Sequence, residues 1–385
     1  IGSIIGAFGT TFILIPMFGI DRIGFIFGIF LILGALRTIQ FDITPSFILS
    51  LILVIIVLTG AVIAGTPTTF VVGGTVVYET QTPYQQLRII DDDGIRTLYL
   101  NGQPQSAMDL NNPYRHVYDY TRYFHLPLLM SDDINKVLFI GGGGFTGPKI
   151  FKYMYNISID VVEIDPAVIA AAKKYFNVTE SPELQIYQMD GRQFLQQTNV
   201  TYDLIILDAY RKDRVPFHLT TQEFFQLVKS KLDADGILLA NIISAPHGGG
   251  SKFFRAEYKT LKTVFSTVYA FKTSQSSFVQ NIEIIATTDD KRLSIAQLRY
   301  RNRHEQIGIN LSDAISLYIS NIPTANVPVL HDDRAPVAKL LDSMQGRKYV
   351  IEKQTSSPNT STSPNIEHIN PPTDYIDIWL KCVVS

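Results

Sequence analysis

A run of glycines and a later glutamate have a spacing that suits ligand binding. Gly141, Gly142 and Gly143 begin a run of four glycines between an apolar stretch and a predicted helix. Glycine lets the backbone turn sharply there and approach a ligand closely. Glu163 stands twenty-two residues after Gly141, at the end of the next apolar run. A carboxylate in that place can accept hydrogen bonds from both hydroxyls of a ribose.

Two further acids end later predicted strands. Asp190-Gly191 ends the third strand, where an aspartate can recognise an adenine amino group, and Asp208 ends the fourth. Ligands of open α/β sheets bind at the carboxyl ends of the strands, which is where all these residues are expected. Asp165 is an alternative ribose ligand, but it is better placed to cap a helix that starts at Pro166.

The residues after the glycine run argue against a phosphate-binding loop. Gly142, Gly144 and Gly147 keep the Gly-x-Gly-x-x-Gly spacing, but Phe145-Thr146-Gly147-Pro148 stands where dinucleotide sites continue into an Ala-type helix, and no Gly-Lys-Ser/Thr follows. The expected ligand is therefore a nucleoside without phosphates, such as an adenosyl sulfonium.

Strands and helices alternate through this part of the chain. This alternation predicts an α/β fold, a Rossmann-like parallel sheet of the class I methyltransferase type with helices on both faces. The predicted strands are Val137–Ile140, Ile159–Ile164, Leu184–Gln188, Leu204–Leu207 and Ile237–Ile243, and the predicted helices begin near Pro148 and span Pro166–Tyr175 and Thr221–Leu232.

A small β-rich module precedes the sheet. Alternating residues on either side of Asp93-Gly94 predict a β-hairpin, and Asn101-Gly102 predicts a second turn. Pro113–Met130 is expected to be helical. The predicted domains are residues 66–130 for this module, 131–345 for the Rossmann-like domain and 346–385 for a low-complexity, disordered tail.

The first 65 residues predict two or three transmembrane helices. Residues 1–78 contain only four charged groups, and the apolar runs are Ile1–Ile20, Ile23–Leu36 and Ile43–Gly65. The alternative is a buried helical hairpin, although such hairpins rarely lack a polar face over this length. The chain is therefore expected to be a multi-pass protein of the cell membrane, in contact with lipid. Its catalytic domain is expected to lie in the cytosol.

Composition excludes several other functions. The net charge of −2 argues against a nucleic-acid surface. The single cysteine, Cys382, cannot form an internal disulfide or a zinc cluster, and no metal site is predicted.

Several motifs resemble the polyamine aminopropyltransferases, the spermidine synthase family, and in particular its membrane-fused prokaryotic branch. The residues that carry the resemblance are Val137–Gly144, Val161–Pro166, Asp190-Gly191, Tyr202–Tyr210, Val215–Phe225 and Val329–Val337. The resemblance implies decarboxylated S-adenosylmethionine as co-substrate, no permanently bound cofactor, a polyamine or other amine as acceptor, and allows a homo-oligomer.

The resemblance also implies roles for single residues. Glu163 matches the ribose ligand, Asp190 the adenine-side residue and Asp208 the acid that takes the proton of the attacking amine. Gln85 resembles the family's nucleoside-contacting glutamine. Tyr210 and Asp213 are candidates for binding the amine substrate.

The chain departs from the family pattern at two points. Soluble members carry an aspartate in the first loop, where Gly144 or Phe145 stands here, and they carry a glutamate before the first strand that is absent here. Fewer anionic contacts then remain for a cationic substrate. Two alternatives therefore stay open: an S-adenosylmethionine-dependent methyltransferase, and a non-catalytic nucleoside- or polyamine-sensing domain.

Two other polar segments are candidates for a supporting role at the site. His218 is a second candidate base, or simply part of the loop before the helix at Thr221. Asp332-Asp333 is expected to pair with Arg334 or to cap the next helix.

Overall fold

A computed structural model gives the fold of most of the chain after residue 73. The described residues are 2–10, 23–24, 27–28, 31, 52, 74–211, 215–289, 292–305, 307–344, 346–354 and 365–369. Near the start, helix α1 spans Gly2–Gly9. Among the described residues, no helix combines the length and apolar character needed to cross a bilayer. The three predicted membrane segments lie almost entirely outside the described residues, so they stay a prediction.

The chain divides into two compact units, Ile1–Gln105 and Ser106–Ser385. The first contains most of an antiparallel sheet with strand order β1-β2-β3-β4. Its strands are β1 (Thr75–Gln81), β2 (Gln86–Asp92), β3 (Ile95–Leu100) and β4 (Gln103–Asp109).

Both predicted turns of the first unit are confirmed. Asp93 and Gly94 have φ of 44° and 73°, and Asn101 and Gly102 have φ of 50° and 74°. Two successive residues with positive φ make the tight turn whose twist suits a hairpin.

The two compact units divide earlier in the chain than the predicted module boundary at residue 130. The second unit begins at Ser106, within β4. The segment Pro113–Met130, predicted to be helical, contains a 3₁₀ helix, Asp119–Leu129, in which ten of eleven residues are buried. Its aromatic side chains are buried in the core of the second unit. The helix therefore belongs to that unit and not to the small sheet.

The second unit is built on a seven-stranded sheet with the order β10-β11-β9-β8-β5-β6-β7. Its strands are β5 (Lys136–Ile140), β6 (Ser158–Glu163), β7 (Leu184–Gln188), β8 (Tyr202–Leu207), β9 (Leu232–Ser244), β10 (Thr267–Lys272) and β11 (Gln280–Thr287). The five strands predicted from the sequence are all present and parallel.

The sheet is mixed rather than purely parallel. β11 runs antiparallel to both β9 and β10. A short loop joins β10 to β11, and such a loop can only return the chain in the antiparallel direction. The two strands were not predicted.

Helices cover the faces of this sheet. They are α2 (Thr146–Met154), α3 (Pro166–Tyr175), α4 (Gly191–Gln197), α5 (Gln222–Ser230), α6 (Lys252–Lys262), α7 (Ile295–His304), α8 (Ser312–Ser316) and α9 (Val337–Leu341). Short 3₁₀ helices span Phe217–Leu219, Gly249–Ser251 and Asp342–Met344. The apolar residues of β5 and β8 are fully buried, as expected for strands that are covered on both faces.

In the sheet, β6 and β7 follow one another on one side of β5. The chain then crosses over, and β8 and β9 lie on the other side of β5. The strand order therefore reverses between β5 and β8. In open α/β sheets, a crevice for ligands opens at such a point, beyond the carboxyl ends of the strands.

The second unit extends beyond the predicted start of the tail at residue 346. Strand β12 (Tyr349–Lys353) pairs antiparallel with β13 (Asn365–Ile369). Tyr349, Val350 and Ile351 are buried. A strand that buries three side chains is part of a folded core, and β13 lies where disorder was predicted.

Candidate functional site

The glycine loop connects β5 to α2 and closely approaches the end of β8. Gly141 has a φ of +101°, and a Cβ placed on it would lie 2.2 Å from the carbonyl oxygen of Asp208. The Gly141 N–H donates to Val162 O at 2.9 Å, and the Asp208 N–H donates to Ile140 O at 2.8 Å. Only glycine fits at position 141, both for its backbone conformation and for the space beside it.

Glu163 ends β6 with its carboxylate on this loop. Its Oε2 accepts the N–H of Gly142 at 2.9 Å and of Gly143 at 3.4 Å, and its Oε1 accepts the N–H of Asp165 at 2.9 Å. Burial raises the pKa of Glu163, and these N–H donors oppose that rise. The structure therefore puts Glu163 beside the glycine loop, and its role as a ribose ligand stays a prediction.

Asp165 caps the helix, as the sequence suggested. Its Oδ1 accepts the N–H of Ala167 at 3.0 Å at the start of α3, where Pro166 occupies the first turn. An aspartate engaged in this way stabilises the helix end.

Asp190 follows β7 and caps α4. Its Oδ1 accepts the N–H groups of Arg192 and Gln193, and its Oδ2 lies 2.8 Å from Nε2 of His218. Burial raises the pKa of Asp190, but the His218 and backbone hydrogen bonds outweigh it and hold the pKa below its usual value. The contact places His218 beside the predicted adenine-side acid.

Gly191 is required by packing. A Cβ at this position would lie 2.3 Å from Cγ2 of Ile140. The helix that Asp190 caps can therefore start close against β5 only because its first residue has no side chain.

Asp208 lies at the end of β8 and accepts a hydrogen bond from the first of two linked asparagine side chains. Its Oδ1 accepts a hydrogen bond from Nδ2 of Asn241 at 2.8 Å. Asn241 in turn accepts from Asn281 at 2.9 Å, and the Tyr349 hydroxyl donates to Asn281 at 2.9 Å. Burial raises the pKa of Asp208 to about 6, against the lowering effect of the Asn241 amide.

These supporting residues were missed by sequence reasoning. Asn241 interrupts the apolar strand β9, and Asn281 lies near the start of β11. A polar residue inside an otherwise apolar strand was the available signal, since a buried amide needs hydrogen-bonding partners.

The structure gives less information on the two residues predicted to bind the amine substrate. The Tyr210 hydroxyl lies 2.6 Å from Leu219 O and 2.9 Å from Oε1 of Glu257, both within the core. Asp213 lies outside the described residues. Their roles in binding substrate stay predictions.

Gln85 belongs to the first unit and lies between β1 and β2. Its backbone N–H donates to Oγ1 of Thr82 at 3.1 Å. Its role as a nucleoside ligand also stays a prediction.

Asp332 has a different partner from the one expected. It makes a two-pronged ion pair with Arg192, with N–O distances of 2.7 and 2.5 Å, and accepts from Oγ1 of Thr221 at 2.6 Å. The Arg192 hydrogen bonds lower its pKa to about 2. The pairing with Arg334 was wrong: the fold brings Asp332 to the starts of α4 and α5 instead.

The first loop has little room for a larger side chain at either position where an acid was looked for. Phe145 is fully buried, with its ring packed under Gly142. A Cβ on Gly144 would lie 2.9 Å from Cβ of Ser106 and 3.1 Å from the ring of Phe176. Neither position can present a carboxylate to a ligand without moving its neighbours.

Along one edge of the sheet, β7, β6, β5 and β8 thus carry Asp190, Glu163, the glycine loop and Asp208 in spatial order. Such an edge can hold a nucleoside across its first three elements and present a basic carboxylate beside it.

Comparison with known proteins identifies the family of the chain. Residues 119–293 match the spermine/spermidine synthase domain. The chain is 30% identical over 212 residues to the polyamine aminopropyltransferase of Vibrio vulnificus, covering 53% of this chain and 69% of that protein. It is 31% identical over 183 residues to the enzyme of the same name from Chromobacterium violaceum, covering 47% and 68%.

Solved structures share the fold. The spermidine synthase of Thermotoga maritima superposes with a TM-score of 0.52 at 20% identity, covering 64% of this chain and 84% of that one. A probable spermidine synthase from Corynebacterium glutamicum gives a TM-score of 0.53 at 19% identity, covering 75% and 99%. On its sequence relatives, the chain belongs to the polyamine aminopropyltransferase family, which is a family of transferases that act in polyamine biosynthesis.

Proposed function

We propose that this chain transfers the aminopropyl group of decarboxylated S-adenosylmethionine to an amine, with Asp208 as the general base. The observation that carries the proposal is the half-buried Asp208 carboxyl at the end of β8, next to the glycine loop and with a pKa of about 6. A general base works best when its pKa lies near the operating pH.

The reaction is an in-line displacement at carbon. The nitrogen lone pair of the acceptor attacks the aminopropyl carbon bonded to the sulfonium, and the C–S bond breaks with its electron pair going to sulfur. The by-product is the neutral thioether 5′-methylthioadenosine. The sulfonium is already an activated leaving group, so the protein must align the two substrates and remove one proton from the amine.

Each residue of the sheet edge has a task in this proposal. Glu163 accepts the ribose hydroxyls, Asp190 orients the adenine with support from His218, and the glycine loop lets the sulfonium approach β8. Asp208 accepts the proton of the attacking amine, since an ammonium has no lone pair to attack with.

The proposal is tested by incubating the protein with the donor and a panel of amines. We expect 5′-methylthioadenosine release, reduced about 100-fold to 10,000-fold in Asp208→Asn, the usual contribution of a general base. Release from Asp208→Asn at the wild-type rate would contradict the role of this residue.

A methyltransferase is the second candidate, and the first loop favours it. Methyl transfer needs no carboxylate to hold an aminopropyl amine, and neither Gly144 nor Phe145 presents one. S-adenosylhomocysteine formed from S-adenosylmethionine, with no methylthioadenosine from the decarboxylated donor, would identify this activity.

Nucleoside binding without any turnover would identify a sensing domain.

We further propose that residues 1–65 anchor the enzyme in the cell membrane as two or three helices, with the catalytic unit in the cytosol. The support is the near absence of charge before residue 79 and the uncharged run Ile1–Ile20. Adenosyl sulfoniums are made in the cytosol, which favours that side for the catalytic unit.

A further inference from the structure

Strand β12 lies outside the residues that match the family domain, yet one of its side chains is connected to Asp208. The domain match ends at residue 293, and β12 spans Tyr349–Lys353. The Tyr349 hydroxyl donates to Oδ1 of Asn281, the first of three successive hydrogen bonds that end on Oδ1 of Asp208. A residue from outside the matched domain therefore belongs to the surroundings of the carboxyl group that acts as the base in the proposed reaction.

Backbone hydrogen bonds hold β12 at both ends. The Val350 N–H donates at 2.9 Å to the carbonyl oxygen of Val279, which directly precedes β11. After the other end of the strand, the Gln354 N–H donates to the carbonyl oxygen of Val117 at 2.8 Å. The Tyr349 side chain is 3% exposed. Its hydroxyl is thus held in place by a strand that is attached on two sides.

The three hydrogen bonds all run in one direction, towards Asp208. An ionised carboxylate only accepts hydrogen bonds, so Asn241 must present Nδ2 to Asp208 and its oxygen to Asn281. Asn281 then presents Nδ2 to Asn241 and its oxygen to Tyr349. An amide has one donor side and one acceptor side, so turning either asparagine by half a rotation would place two oxygens against each other.

The Tyr349 hydroxyl fixes the outer end of this arrangement. Asn281 is 2% exposed, and among the described residues Tyr349 is the only donor to its side-chain oxygen. A buried oxygen without a donor is costly, so without the hydroxyl the Asn281 amide would no longer be held in this orientation. The hydrogen bond from Asn241 to Asp208 would then weaken, since bonds in such a chain polarise and strengthen one another.

Three titratable groups interact with the charge of Asp208 from neighbouring elements: Tyr120 in the 3₁₀ helix, Glu283 on β11 and Tyr349 itself. Burial, followed by the charge of Asp208, raises the pKa of each of them. The charged form of all three is therefore disfavoured. Asn241 is the group that lowers the pKa of Asp208, so the orientation of its amide bears directly on the basicity of that carboxyl.

We propose that Tyr349 is a positioning residue for the transfer: β12 keeps both asparagine amides in the orientation that points an N–H at Asp208. The inference rests on the proposed function, in which Asp208 is the general base. Tyr349 touches neither substrate in this scheme. It acts through Asn281 and Asn241 to keep Asp208 ionised at the pH where it must accept a proton.

The test is the pH profile of kcat for Tyr349→Phe, measured at saturating substrates between pH 5 and 8.5. Removing the hydroxyl favours the protonated form of Asp208, so the acidic limb should move upward by about half a pH unit. The kcat should therefore fall about threefold on this limb and stay close to the wild-type value at the alkaline end.

A double variant tests the route of the effect. If Tyr349 acts through Asn241, then Asn241→Leu already removes that effect, and adding Tyr349→Phe should not move the acidic limb any further. Two shifts that simply add would overturn the proposal, because Tyr349 would then reach Asp208 by another route.

Tyr269→Phe is the matched control. Tyr269, on β10, is 2% exposed, and its hydroxyl donates to the carbonyl oxygen of Leu293 at 3.0 Å. This variant loses the same kind of hydrogen bond, so its Tm should fall about as much as that of Tyr349→Phe, while its acidic limb should coincide with the wild type. An equal shift of the limb in both variants would count against a specific role of Tyr349.

The outcomes distinguish the two proposals. Methylthioadenosine release by the wild type, with the acidic limb of Tyr349→Phe at the wild-type position, would overturn the role of Tyr349 alone. An equal fall of kcat at every pH would also overturn it, in favour of a purely structural role. No release from the wild type with any amine would end the proposed function and this inference with it.

Discussion

Two opposing effects set the basicity of Asp208. Burial disfavours the carboxylate, whereas the amide of Asn241 donates to it at 2.8 Å and favours it. The result is a pKa of about 6, which leaves the group mostly ionised at neutral pH and still able to hold a proton during the reaction. Asn241 can keep its donor group on Asp208 because Asn281 occupies its oxygen.

This balance predicts a pH dependence. The base must be ionised to act, so kcat should fall as the pH drops through about 6. Asn241→Leu removes the hydrogen bond that favours the carboxylate, so the acidic limb of the kcat profile should move upward by about one pH unit, or about 1.4 kcal/mol. The measurement is kcat at saturating substrates between pH 5 and 8.5.

The control is Asp160→Asn. Asp160 is also buried in the sheet, but it bonds Tyr202 and Lys136 at the amino ends of β8 and β5, so the pH profile of this variant should match the wild type. An acidic limb that stays in place in Asn241→Leu would show that Asp208 does not control it.

At the scale of elements, the turn from β5 to α2 brings the site together. It places the amides of Gly142 and Gly143 on Glu163 and the backbone of Gly141 against Asp208. The same turn buries Phe145 as a core residue, at a φ of 54° that a non-glycine residue rarely adopts. This packing holds the loop in shape and also explains why it carries no acid.

Gly141→Ala should destabilise the protein and abolish activity. The methyl group would meet Asp208 O at 2.2 Å, and the φ of +101° is unfavourable for alanine. The positive φ costs about 1–2 kcal/mol, and the overpacking adds about 1–3 kcal/mol. Chemical denaturation measures the loss of unfolding free energy.

Gly248→Ala is the matched control. Gly248 also has a positive φ, +73°, but nothing lies within 4 Å of the position of its Cβ. It should show only the cost of the backbone conformation and keep its activity. Equal losses in the two variants would mean that the close approach to Asp208 is unimportant.

At the scale of the whole molecule, charged residues are very unevenly distributed along the chain. Residues 1–78 contain four charged groups, whereas the chain as a whole contains 33 basic and 35 acidic residues. Few folded soluble domains have a stretch of this kind, and a bilayer would accommodate it.

We expect the full chain to sediment with membranes and to resist extraction by alkaline carbonate. A chain that starts at Gly74 should be released, because it lacks all three apolar runs. Complete release of the full chain by carbonate would contradict membrane insertion.

The sequence by itself determined the features that depend on neighbours along the chain. Four of the five parallel strands were recognisable because a strand buried on both faces is a largely apolar run, whereas β7 is a partly exposed edge strand that contains two glutamines. The glycine turn and the acids at strand ends were recognisable because each stands at a fixed offset from such a run. The two hairpin turns followed from Asp-Gly and Asn-Gly.

Only the tertiary structure decided what lies beside Asp208. Asn241, Asn281, Glu283 and Tyr349 come from β9, β11 and β12, and no local pattern states which strands will be neighbours. The unpredicted β11, antiparallel in a largely parallel sheet, is the element that brings Glu283 opposite Asn241. The glycine loop and the acids could thus be predicted one by one, whereas the position of Asn241 between Asp208 and Glu283 arises from strand order, which long-range packing decides.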